Sequence, residues 1–119
     1  MSTDTVTTGT RWVPVCPYRL LEPERGVAAL VGGEQVAIYR THDGELFAIG
    51  NLDPINGAYV MSRGIVGSRG EIPTVASPLH KQVYDLRTGR CLDVPEVRVP
   101  TYPVRCRDGL VEVDAGLGG

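Results

Sequence analysis

The chain has 119 residues and a formal net charge of −2, with 42% hydrophobic and 22% charged residues. A chain of this length carries one core, burying roughly two-thirds of its unfolded surface, and its near-neutral balance excludes a polyelectrolyte contact with nucleic acid. No stretch reaches the ~20 apolar residues of a membrane helix, and residues 1–10 have neither the basic start nor the apolar segment of a signal peptide, so a cytoplasmic location is expected.

Short Val-rich runs separated by 15 Gly and 9 Pro, with no long helical periodicity, predict an all-β domain of short strands and tight turns. Residues 1–10 are rich in Thr and Ser and read as a disordered tail, 11–114 as the folded domain, and the glycine-rich 115–119 as a flexible end. Trp12, Val13 and Val15 predict a first strand, restricted to an edge or to the end of a sheet by Pro14 and Pro17, with Trp12 as a core anchor. Residues 17–25 read as a loop with room for one helical turn. Runs at 27–31 and 35–40 flank a glycine turn, and Asp43-Gly44 precedes a third run at 45–49, so these three form a meander. His42 sits on that second turn and reads as solvated.

Residues 50–74 hold little strand character beyond 59–60 and 65–66 and read as a long structured loop, a length that draws attention to function. Their glycines form no phosphate-cradling pattern. Arg63 and Arg69 read either as solvated loop cations or as partners for acidic groups on another protein. Further strands are expected at 97–99, 102–106 and 110–113, the last two joined by Asp108-Gly109, with Tyr102, Val104 and Cys106 turned inward. Cys16, Cys91 and Cys106 are far apart in sequence and read as buried reduced thiols.

The stretch 75–93 reads VASPLHKQVYDLRTGRCLD. It resembles the second half of a Rieske iron–sulfur domain, in which a Cys-Pro-Leu-His loop leads into an aromatic-Asp-Leu strand and a Thr-Gly turn. The resemblance covers nearly the whole domain and implies a Rieske-like fold of short antiparallel sheets with two projecting ligand loops. Such domains bind a two-iron cluster through two thiolates and two imidazoles. Here Asp53 and Ile55 occupy the first loop's Cys and His positions, Ser77 occupies the second loop's Cys position, and only His80 keeps the usual residue. Lys81 stands where the family commonly has glycine. Serine is a poor substitute for a soft thiolate and isoleucine cannot ligate, so no bound cluster, no metal and no catalytic residue are expected in this chain.

Asp53-Pro54, the 62–67 loop SRGIVG and the 76–82 loop ASPLHKQ together resemble the small subunit of assimilatory NAD(P)H-dependent nitrite reductase. That resemblance implies an accessory role beside a large catalytic subunit that carries flavin, siroheme and an iron–sulfur cluster. The partner-contact residues it suggests are Asp53, Pro54, Asn56, Arg63, Arg69, Ser77, His80 and Lys81. Another reading leaves the loops as packed relics and gives the contact to a sheet edge or a strand face. Other functional readings are a stand-alone Rieske-type electron-transfer ferredoxin with an atypical metal site, and a Rieske-like binding module of another oxidoreductase.

Overall fold

The structure, a computed structural model, describes residues 12–79 and 81–114. The expected tails at 1–10 and 115–119, and His80, lie outside the described residues. Ten strands follow in chain order: β1 Trp12–Pro17, β2 Arg25–Val31, β3 Glu34–Arg40, β4 Leu46–Gly50, β5 Ile65–Arg69, β6 Ile72–Ala76, β7 Val83–Asp85, β8 Thr101–Tyr102, β9 Val104–Arg107 and β10 Leu110–Asp114. They make three antiparallel sheets, ordered β2-β3-β4-β8, β1-β10-β9 and β5-β6-β7. The all-β architecture of short antiparallel sheets read from the sequence is the one observed.

β3 organises the packing. Its residues Val36, Ala37, Ile38 and Tyr39 are all fully buried, which requires both faces of the strand to be covered. Alternation sends Val36 and Ile38 to a cluster with Leu21, Val31, Ala48, Val111 and Val113. Ala37 and Tyr39 go the other way, to Ile49, Met61, Val75, Tyr84, Leu86, Cys91 and Val99. The meander β2-β3-β4 is thus the middle layer, with the β1-β10-β9 sheet on one side and the β5-β6-β7 sheet on the other. Tight turns set the registers. Gly32 and Gly33 both have positive φ (58° and 88°), as do Asp108 and Gly109 (54° and 78°), the geometry that two-residue hairpins of right-twisted strands demand.

The layers are tied by a 3-10 turn, Met61–Arg63. Its Met61 N–H bonds to the Asn51 carbonyl at 3.0 Å, and the Ser62 N–H bonds to Asn51 Oδ1 at 2.8 Å. The Tyr39 hydroxyl donates to the Met61 carbonyl, and burial pushes that phenol's pKa up, keeping it neutral. β2 comes so close to this turn that a Cβ on Gly26 would lie 2.5 Å from the Ser62 carbonyl oxygen.

Several expectations change. Residues 50–74 are no single loop, because they contain β5 and the start of β6, paired from Ile65↔Ala76 to Arg69↔Ile72. Ile65 and Val66 carry the strand character read at 65–66, but Gly67, Ser68 and Pro73 dilute the signal beyond them and β5 is largely exposed, so alternation does not mark the whole strand. Residues 97–99 form no strand; they are held by an isolated Arg90↔Arg98 bridge and by bonds from Cys91 N–H to Val97 O (2.9 Å) and Val99 N–H to Gly89 O (2.8 Å). Pro103, which cannot donate to a ladder, splits the run at 102–106 between β8, paired with β4, and β9, paired with β10.

Trp12 is half-buried and not a core anchor: its ring carries the Arg105 guanidinium at 4.1 Å, itself bonded to Glu112 at 2.7 Å. Of the three free thiols only Cys91 is buried, Cys16 is half-buried and Cys106 is exposed on the outer strand β9. No helix among the described residues is long and apolar enough to cross a membrane.

Candidate functional site

The two loops singled out in the sequence, 53–58 and 77–82, are joined by a buried hydrogen-bond hub on Asp53. This carboxylate and the Ser77 side chain are both fully buried. Ser77 Oγ donates to Asp53 Oδ2 at 2.5 Å. Asn56 Nδ2 donates to the same oxygen at 3.1 Å, while Oδ1 accepts from the backbone N–H groups of Ile55 (2.8 Å) and Asn56 (3.2 Å).

The sequence builds this locally. An Asp two residues ahead of a free N–H forms an Asx turn, and Gly57, at φ 77°, lets the loop close with its N–H on the Asp53 carbonyl at 2.7 Å. The second loop closes by Ser77 N–H to Gln82 O (2.9 Å) and Lys81 N–H to Ser77 O (3.0 Å).

Burial alone would raise the Asp53 pKa, but the bonds from Ser77, Asn56 and the two backbone amides outweigh it and hold the carboxyl below its ordinary value. The same negative charge, after burial, helps push the phenol of buried Tyr84 upward. Tyr84 Oη and Gln82 Oε1 are buried without a hydrogen-bond partner among the described residues.

Seven of the eight suggested contact residues, all but His80, lie among the described residues and divide by geometry. Asp53 and Ser77 face inward, where their side chains brace the loops. Pro54, Asn56 and Lys81 are exposed at the loops. Arg69 is exposed and sits 3.6 Å from Asp93 of the same chain. Arg63 is exposed on the 3-10 turn, apart from the two loops.

Charge drew attention in the sequence, but the loops also expose large apolar side chains: Leu52 (38% exposed), Ile55 (40%), Tyr59 (56%) and Leu79 (47%). Ile55 and Leu79 sit in turns without strand periodicity, where an apolar chain has no sheet face to enter, and Leu52 and Tyr59 pair in an isolated bridge beside the first loop.

Lys81 adopts φ 66°, the left-handed region that costs a side chain about 1 kcal/mol and glycine almost nothing. Lys81→Gly is therefore expected to stabilise the fold by up to about 1 kcal/mol, read as a higher denaturation midpoint with an unchanged slope.

Comparison with known proteins places this arrangement. The profile of the Rieske-like [2Fe-2S] domain matches residues 11–114. The NADH nitrite reductase small subunit of Escherichia coli K12 is 42% identical over 105 residues, covering 87% of this chain and 96% of the relative. A crystal structure from Mycobacterium tuberculosis, described as an NADH-dependent nitrite reductase small subunit, superposes with a TM-score of 0.87 at 48% identity, covering 90% of this chain and 96% of that one. The NAD(P)H nitrite reductase large subunit of Klebsiella oxytoca is 38% identical over 102 residues, which span 86% of this chain and 11% of that much longer protein. The chain belongs to the Rieske-like domain family and, within it, to the small subunits of NAD(P)H nitrite reductase.

Proposed function

We propose that this chain is a non-catalytic accessory subunit of an NAD(P)H nitrite reductase that converts nitrite to ammonium, and that it holds no iron–sulfur cluster of its own. The observation that carries this is the Asp53–Ser77 hydrogen bond. A Rieske cluster needs two soft thiolates and two imidazoles. At the two thiolate positions stand an Asp and a Ser, buried and bonded to each other, and the Ile55 alkyl chain takes one imidazole position. Both loops are closed on protein donors and acceptors, so this donor set does not fit the cluster.

Flavin, siroheme and any iron–sulfur centre then belong to the large subunit. The K. oxytoca large subunit, which contains a segment like this chain, supports a domain that works in contact with the large-subunit body. The former ligand loops are the docking face in this reading, with Ile55, Leu79 and Tyr59 as apolar anchors and Pro54, Asn56 and Lys81 around them.

Purified alone, the folded chain is expected to be colourless and iron-free, and to co-purify the large subunit when the two are expressed together. Stoichiometric iron with visible absorbance would instead make it an electron-transfer ferredoxin. Replacing Ile55 and Leu79 together by Asp should weaken the complex by about tenfold or more; titration of the purified subunits by calorimetry measures it, and unchanged affinity moves the docking face elsewhere.

A further inference from the structure

We infer a second, separate docking element: a groove between two sheet edges that accepts an extended, carboxylate-bearing segment of the large subunit by strand addition. This rests on the accessory-subunit reading above but places a contact outside the former ligand loops.

β2 and β5 are each the outermost strand of their sheet, paired on one side only, β2 with β3 and β5 with β6. No other backbone bond among the described residues engages Gly26–Val31 of β2 or any residue of β5. An outermost strand keeps an outward row of N–H and C=O groups free for another chain. The starts of these two strands meet around a cavity of about 660 Å³, lined by Pro23, Arg25 and Gly26 on one wall and by Arg63, Gly64 and Ile65 on the other. That volume suits a short run of extended chain rather than a single side chain.

The chemistry of the walls selects the occupant. Strand addition takes its affinity from main-chain bonds and its specificity from alternate side chains. Ile65 (62% exposed) and Val27 (37% exposed) offer apolar contacts beside the edges. Arg63 has no ion pair or hydrogen bond from its guanidinium within the described chain, and Arg25 has only a loose 3.6 Å pair with Glu22 in which both side chains are over 70% exposed. Such a pair contributes little and is readily exchanged.

Glu24, also on the wall, is turned toward His42 at 3.7 Å. Two available guanidiniums in a protein of net charge −2 favour a segment carrying Asp or Glu. The groove is also coupled to the loops, because the 3-10 turn bearing Arg63 hangs from Asn51, two residues before Asp53. Docking here would set the angle at which the loops meet the large subunit.

The test compares wild type, the double variant Arg25→Glu/Arg63→Glu and the loop variant Ile55→Asp/Leu79→Asp, each checked for folding by circular dichroism. Binding to the purified large subunit is titrated, and hydrogen exchange is followed in the complex. The inference predicts an affinity loss of about tenfold or more for the double Arg variant, with slowed exchange at 65–69 and 26–31 in the wild-type complex.

Wild-type binding with undiminished affinity of the double Arg variant and protection confined to 53–59 and 77–81 would overturn the groove and leave the accessory role standing. Failure of wild type to bind the large subunit at all would overturn both. The chain alone is expected to be monomeric by light scattering; a dimer abolished by Arg25→Glu/Arg63→Glu would assign the groove to a second copy and overturn the inference.

Discussion

Gly89→Ala is expected to destabilise the domain by about 3–5 kcal/mol, the largest single-residue loss we anticipate. Gly89 ends the turn after β7 with φ 80°, and its N–H bonds to the Asp85 carbonyl at 2.7 Å. A Cβ there would stand 2.1 Å from the Val99 carbonyl oxygen and 3.1 Å from the Thr101 methyl. Two costs combine: about 1–2 kcal/mol for a side chain in the left-handed region, and a backbone clash that only displacement of 97–101 could relieve. That displacement breaks the Val99 N–H to Gly89 O bond and pulls on β8, the strand that closes the meander.

Gly33→Ala separates the two costs. Gly33 has a similar φ of 88° with nothing within 4 Å of its would-be Cβ, so it carries the conformational cost alone, about 1 kcal/mol. Urea unfolding of both variants measures the difference. Equal losses would show that crowding at Gly89 contributes nothing.

The contrast between these glycines shows what the sequence could and could not say. Both sit in turn signals, and both turns were legible: Gly32-Gly33 as a hairpin, Thr88-Gly89 as the turn of a Rieske-like second loop. Which of them is pressed against another segment is a long-range fact, set by where 97–99 passes, and no local pattern carries it. The strands of the middle layer were legible because β3 and β4 are buried and β-branched or aromatic; β5 was legible only at 65–66, because an exposed outer strand is under no pressure to alternate.

At the loops, the aligned positions picked out Asp53 and Ser77 as the altered pair, but local sequence gave no reason to expect 2.5 Å between residues 24 apart. The loop residues singled out from the sequence were mainly polar or charged for a related reason. A charge is visible in any sequence, whereas the exposure of Ile55, Tyr59 and Leu79 is a property of the folded loops.

Asp53→Ala should cost about 3–4 kcal/mol, because it strands the buried Ser77 hydroxyl and removes the acceptor for two backbone amides and the Asn56 side chain. Asp53→Asn keeps the shape and one carbonyl acceptor, and its amide can donate to Ser77 Oγ, so about 1–2 kcal/mol is expected.

The pH dependence distinguishes a charged hub from a merely polar one. The folded-state pKa of Asp53 lies below its unfolded value of about 3.9. A group depressed in this way stabilises the fold fully above the unfolded pKa, and that contribution is lost as pH falls through the folded value. The stability gap between wild type and Asp53→Asn should therefore be constant from pH 7 to about 5 and shrink below about 4. Asp43 is also held below its ordinary value, chiefly by its bond with the Thr41 hydroxyl, but it is present in both proteins and cancels in the difference. A gap that stays constant down to pH 3 would mean that the carboxylate's charge contributes nothing at this junction. A shrinking gap would mean that ionised Asp53 helps hold the two loops together from within.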